Sequence, residues 1–192
     1  MMNIVFGGSF NPPQVAHEKI VNLLLNKFSD AKVIILPVGD DYKKPELISF
    51  KHRFKMLKLI FGDNERIKIS KIEAKTKFEG TIASLEYLEK YCCDNLYFVT
   101  GSDNLKELKT WIRYEELIVK YPFIFIERDD DNLDELISEH PNLNKNYYKI
   151  NFDEDISSSQ IRNNLIENKE KLNKLVYEYI LSNNLYGGKE NV

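Results

Sequence analysis

Apolar residues follow two alternating rhythms along this chain. Short runs rich in Ile, Val, Phe and Tyr occur at Asn3–Phe6, Val33–Leu36, Arg66–Ser70, Asn95–Thr100, Phe123–Glu127 and Tyr147–Asn151. Several are nearly continuous, as strands buried on both faces should be. Between them the spacing changes to three and four: Phe50, Phe54, Leu57 and Phe61 form one stripe, and Ile82, Leu85 and Leu88 another. Each stripe predicts an amphipathic helix, over Phe50–Phe61 and Thr81–Tyr91. A further helix is expected from about Ala16 to Phe28. Strands alternating with helices imply parallel pairing through right-handed crossovers, so the expected fold class is α/β, a Rossmann-like doubly wound parallel sheet with C-terminal helices. Those helices, Gln160–Asn168 and Lys171–Ser182, follow one another without a strand, end at Gly187-Gly188, and are expected to cap one edge of the sheet.

With 192 residues the chain is expected to be a single domain, 1–192. Apolar residues make up 43% and charged residues 30%, and no apolar run approaches the roughly 20 residues of a membrane helix. The N-terminus enters Asn3-Ile4-Val5-Phe6 directly, with no basic stretch, long apolar core or cleavage site, so a cytoplasmic location is expected. The adjacent Cys92 and Cys93 suit neither a disulfide nor metal spacing and read as reduced, structural thiols. A net charge of −3 offers no broad basic face, which argues against a nucleic-acid polymer as partner. The acidic stretch Asp129–Asn132 reads as a solvated loop or helix start, and His140, beside Pro141, as a surface loop residue. Lysine outnumbers arginine 22 to 5, so each arginine is a candidate for bidentate anion binding.

Ligands of such sheets bind beyond the carboxyl ends of the strands, and the first strand leads into Gly7-Gly8-Ser9-Phe10-Asn11-Pro12-Pro13-Gln14-Val15-Ala16-His17. Two glycines allow close backbone approach to a phosphate, and the following helix offers free N–H groups and a positive dipole end. The segment lacks the G-x-G-x-x-G fingerprint and the P-loop G-K-S/T, which removes support for hydride transfer and for P-loop hydrolysis. Taken alone it is also a tight strand-to-helix connection with His17 on the first turn. A second segment, Ile156-Ser157-Ser158-Ser159-Gln160-Ile161-Arg162, places hydroxyls before a helix and an arginine one turn in. That pattern suits a cap and suits an anion clamp.

Together these segments resemble the paired signatures of the nucleotidyltransferase superfamily, G-G-x-F-D/N-P-x-H/T-x-x-H and I-S-S-T-x-I-R. Further segments resemble bacterial nicotinate mononucleotide adenylyltransferases. Pro37 to Lys44 followed by His52-Arg53-Phe54-Lys55-Met56-Leu57 is similar to their P-x-x-x-P-H-K and H-R-x-x-M-L. Thr81-Ile82-Ala83-Ser84-Leu85 is similar to T-x-x-T-L, and Gly101-Ser102-Asp103-Asn104-Leu105 through Trp111 to G-x-D-x-L followed by tryptophan. The tail, Val176 to Ile180 with Leu185-Tyr186, is also alike, so the likeness spans nearly the whole chain in one order. Three positions depart: Gln14 replaces the first histidine or threonine, Ala16 the next glycine, and Tyr42-Lys43-Lys44 the P-H-K. Gln14 retains an amide that can donate to a phosphate oxygen.

The resemblance implies transfer of an adenylyl group from ATP to nicotinate mononucleotide, with Mg2+ bound through the ATP phosphates. His17 would contact the α- and β-phosphates, Lys44 and Arg162 the triphosphate and departing pyrophosphate, and Ser158 and Ser159 the phosphates at the helix entrance. Gly7, Gly8, Ser9 and Gln14 would approach the nucleotide, Gly101 would admit adenosine, and Asp103 would accept from a ribose hydroxyl. On the acceptor side the resemblance implies Phe10, Trp111 stacked on the pyridine ring, and Thr81 and Ser84 near its carboxylate. His52 and Arg53 read either as an exposed pair or as a brace for the loop around Lys44. The sequence leaves open a nicotinamide mononucleotide or phosphopantetheine acceptor, a non-catalytic nucleotide sensor and a generic binding module. It also leaves a homo-oligomer open.

Overall fold

A computed structural model describes residues 1–74, 77–127, 132–152 and 158–187. Six strands, β1 (Asn3–Gly8), β2 (Lys32–Pro37), β3 (Ile67–Ile69), β4 (Leu96–Gly101), β5 (Phe123–Glu127) and β6 (Tyr148–Asn151), form one sheet in the order β3-β2-β1-β4-β5-β6. Every neighbouring pair is parallel. Connections from β1 run outward to β2 and β3, and the chain then returns to the other side of β1 at β4. The direction of winding therefore reverses between β1 and β4, which opens a crevice at their carboxyl ends.

Alternate side chains of the strands enter two separate cores, as a two-sided sheet requires. Ile4 and Phe6 of β1 join Val33, Ile35, Val99 and Ile124 beneath the helices α1 (Val15–Lys27) and α2 (Phe50–Phe61). Val5 joins Ile34, Leu36, Phe98, Phe123 and Phe125 on the opposite face. That face is covered by α3 (Thr81–Tyr91), α4 (Ser102–Glu107), α5 (Tyr114–Lys120) and α6 (Leu133–Ser138). The bounds of α2 and α3 match those their apolar stripes predict. Ile82, Leu85 and Leu88 of α3 are all buried, and so are Phe50, Leu57 and Phe61 of α2, with Phe54 half-buried and Met56 buried in its stead.

The C-terminal helices α7 (Ser158–Asn163) and α8 (Lys174–Ser182) do not cap an edge of the sheet as expected. α8 packs on α2, and Met56, Ile161, Leu172, Val176 and Ile180 make a third small core there. The α7 helix stops well before Asn168. The Asn168 amide donates to the carbonyls of Gln160 and Asn164, an asparagine competing with the helix ladder. His140 is a second correction: it is 1% exposed, bonded to the Tyr114 hydroxyl at 2.8 Å and to the Leu105 carbonyl at 3.2 Å. Cys92 and Cys93 are free, and Cys92 is exposed, so it does not fill the core. The acidic residues 129–131 and the motif residues Ile156 and Ser157 lie outside the described residues.

Candidate active site

A cavity of about 620 Å³ opens at the carboxyl ends of β1 and β4, a volume suited to ligands of nucleotide size. Residues from both distant signatures line it: Gly7, Gly8, Ser9 and His17 from the first, and Ser158, Ser159 and Arg162 from the last. Lys44, Thr81, Gly101, Asp103 and Trp111 complete the expected residues on the wall.

His17 sits in the first turn of α1, where its Nδ1 accepts the Gln14 backbone N–H at 3.0 Å. Nδ1 is therefore the acceptor nitrogen, and the neutral ring carries its proton on Nε2. Burial lowers its pKa from 6.5 to about 4, so the imidazole is uncharged at neutral pH. It is a hydrogen-bond donor of fixed tautomer beside a helix N-terminus, an arrangement suited to an anion. An edge-on contact with the Phe10 ring at 5.0 Å and a tilted one with the Phe6 ring at 6.0 Å hold the ring.

The cationic half comes from two loops. Lys44 Nζ donates to Ser9 Oγ at 3.1 Å. Its pKa is lowered by burial and next by the charge of Arg162. Arg162 donates through Nη1 to the Asn11 carbonyl at 2.9 Å, through Nη2 to Ser159 Oγ at 3.2 Å, and through Nε to Glu46 at 3.2 Å. Two cations held within reach of one another in a cavity repel, and a polyphosphate between them removes that repulsion.

The loop after β1 is fixed from outside itself. Asn11 is fully buried; its amide donates to the Glu46 carbonyl at 2.9 Å, and its side-chain oxygen accepts from the Tyr186 hydroxyl at 2.7 Å. Ser158 Oγ donates to the Pro12 carbonyl at 3.2 Å. Arg53, fully buried, donates to the carbonyls of Ser9 at 3.0 Å and Ile48 at 2.8 Å and pairs with Asp40 at 3.3 Å. It is the brace, not an exposed residue. His52 meets the Tyr179 hydroxyl at 2.9 Å across α2 and α8. The other described arginines are structural: Arg66 donates to carbonyls at the end of α1, and Arg113 pairs with Glu86 and Glu116 on the surface. Among the described arginines only Arg162 lines the cavity.

Three expected contact residues stand behind the wall. The Phe10 ring, 1% exposed, packs on Phe6 at 5.5 Å and on His17. Gln14 is 1% exposed, and its amide nitrogen has no hydrogen-bond partner among the described residues. Ser84 is buried and gives its hydroxyl to Glu73 at 2.7 Å.

Other wall residues were not singled out from the sequence. Tyr42 and Phe78 meet edge-on at 4.9 Å, and Glu73, Gly80 and Ile112 lie nearby. Gly80 precedes α3 with φ +91°, and a Cβ there would stand 2.8 Å from Ile112 Cβ. Only glycine accommodates both demands. Trp111 meets Phe98 edge-on at 6.1 Å while also lining the cavity, so the same ring serves core and wall. Among the described residues no group of three His, Cys, Asp or Glu side chains converges to hold a metal ion, and no helix is long and apolar enough to cross a membrane.

The cytidylyltransferase-like family model matches residues 5–164. A protein of Acholeplasma laidlawii named a probable nicotinate-nucleotide adenylyltransferase is 43% identical over 187 residues, covering 96% of this chain and 97% of that protein. One of the same name from Fusobacterium nucleatum is 39% identical, covering 90% and 91%. Among solved structures, the nicotinic acid mononucleotide adenylyltransferase of Plasmodium falciparum complexed with NaAD superposes with a TM-score of 0.82 at 25% identity, covering 98% of this chain and 99% of that one.

Proposed function

Because this chain belongs to the cytidylyltransferase-like family, we propose that it is an adenylyltransferase carrying AMP from ATP to nicotinate mononucleotide, a step of pyridine dinucleotide synthesis in the cytoplasm. The names of its relatives and the NaAD-bound structural match support that acceptor. The observation that carries the chemistry is that a neutral imidazole donor, His17, and two cations, Lys44 and Arg162, share one cavity with an aromatic wall at Trp111.

The acceptor's phosphate oxygen attacks the α-phosphorus of ATP in line. A new P–O bond forms as the bond to the β-phosphate oxygen breaks, and the electron pair leaves with pyrophosphate. The attacking phosphate is already ionised at neutral pH, so no strong general base is required, and alignment with charge neutralisation supplies the rate. His17 Nε2–H donates to the α- and β-phosphates, while Lys44 and Arg162 take up charge building on the pyrophosphate. Ser158, Ser159 and the backbone of Gly7 to Ser9 complete the phosphate cradle. Gly101 and Asp103 serve the adenosine, and Thr81 and Trp111 the pyridine. Phe10, Gln14 and Ser84 act from behind the wall.

Carboxylates on the wall are dispersed, which fits a Mg2+ ion that arrives on ATP with phosphate oxygens and water as ligands. Bound so, it would neutralise phosphate charge.

The test is incubation with ATP, Mg2+ and nicotinate mononucleotide, with parallel reactions on nicotinamide mononucleotide and phosphopantetheine. Pyrophosphate release and a chromatographically resolved dinucleotide are expected, fastest with the nicotinate acceptor. Lack of turnover on all three acceptors rejects the enzyme reading and leaves a nucleotide sensor.

A further inference from the structure

Glu73 is a wall residue to which the reaction gives no role. It is 5% exposed, yet borders the cavity. One carboxylate oxygen accepts the buried Ser84 hydroxyl at 2.7 Å, while the other is buried without a hydrogen-bond partner among the described residues. Burial pushes the pKa of the Glu73 carboxyl up, and the Ser84 hydroxyl and the nearby Gly39 backbone N–H pull it back down. The two backbones touch as well: a Cβ on Gly39 would lie 2.0 Å from the Glu73 carbonyl oxygen. A buried carboxylate is costly to keep, so its retention at this place calls for a reason.

Its partners supply one. Ser84 lies on α3 one turn after Thr81, which faces the cavity. Gly39 begins the loop that reaches Lys44, whose ammonium rests on Ser9. We propose that the Glu73 carboxylate is a positioning residue, a strut tying the acceptor-side turn of α3 to the loop carrying the triphosphate-side Lys44. It thereby sets the separation between the acceptor phosphate and the α-phosphorus. The inference rests on the adenylyltransferase reading. A misplacement of about 1 Å between bound reactants can lower a rate by roughly a hundredfold, so a strut between subsites bears on turnover more than on either ligand's binding.

The experiment compares wild type with E73Q, S84A, S84T and the E73Q/S84A double variant at a temperature below each melting point. Each measurement includes kcat with ATP, Mg2+ and nicotinate mononucleotide, and the Kd of each nucleotide alone by Trp111 fluorescence. E73Q and S84A are expected to lower kcat about tenfold or more while each Kd stays within about threefold. S84T, which keeps the hydroxyl, should restore kcat to within about threefold of wild type, and the double variant should be no slower than E73Q. Variants that melt earlier but turn over like wild type would overturn the strut, as would an S84A defect confined to mononucleotide binding. If E73Q fails to fold, the contrast between S84A and S84T decides the matter alone. A wild-type chain inactive on every acceptor removes the underlying reading and the strut with it. An active wild type with unimpaired S84A removes the strut only.

Discussion

Replacing His17 with glutamine should separate stability from catalysis, and pH should reveal the separation. Glutamine in the first turn can still accept the Gln14 N–H, the role now held by Nδ1. It cannot titrate, and it lacks the ring fixed by Phe6 and Phe10. Near pH 7 the variant should therefore be within about 1 kcal/mol of wild type in stability. In wild type, the folded pKa is lowered from 6.5 to about 4, so between those values the unfolded chain binds more protons than the folded one. Stability from this group is then complete above 6.5 and is lost as pH falls toward 4. At about pH 5 the loss amounts to about 2 kcal/mol, or roughly 4–8 °C in melting temperature for a chain of this size. His17→Gln escapes that loss and should become the more stable protein at about pH 5, even though its turnover is down roughly a hundredfold at every pH. Denaturant melts of both proteins from about pH 7 to about pH 5 give the difference curve. Parallel loss of stability in the two proteins would refute a neutral, desolvated His17, and wild-type turnover in the variant would refute its contact with the phosphates.

Arg53→Lys keeps the charge but cannot reach Ser9, Ile48 and Asp40 together; a loss of roughly 3 kcal/mol by chemical denaturation is expected, and wild-type stability would contradict its role as brace. Arg162→Lys should slow pyrophosphate release by roughly tenfold or more with little change in melting temperature, because a single ammonium cannot replace the fork that spans Asn11, Ser159 and Glu46. Gly80→Ala should cost about 1–3 kcal/mol, through its backbone angle and the clash with Ile112, and should raise the KM of the acceptor more than that of ATP. An equal change in both KM values would place Gly80 away from the acceptor.

Local periodicity made the architecture legible. The stripes of α2 and α3 mark their bounds in the sequence, and the near-continuous apolar runs of β1, β2, β4 and β5 announce strands buried on both faces. The meeting of two distant segments was legible too, because Gly7 to His17 and Ser158 to Arg162 are contiguous motifs that line one strand-end crevice. What escaped depends on partners distant in sequence. Beside Pro141, His140 looks like a loop residue until Tyr114 and Leu105 close over it. Glu73 stands among lysines with nothing in its spacing to suggest a burial made tolerable by Ser84 and Gly39. Whether Phe10, Gln14 and Ser84 face the ligand or stand one layer behind is a question of side-chain direction, which a linear motif does not encode.

The hold of Tyr186 on Asn11 links positions 175 residues apart. The turn after β1 is therefore held by a residue just beyond α8, the helix that packs on α2. The shape of that turn thus depends on a segment at the opposite end of the chain. Damage to that segment should silence the reaction while leaving the sheet standing.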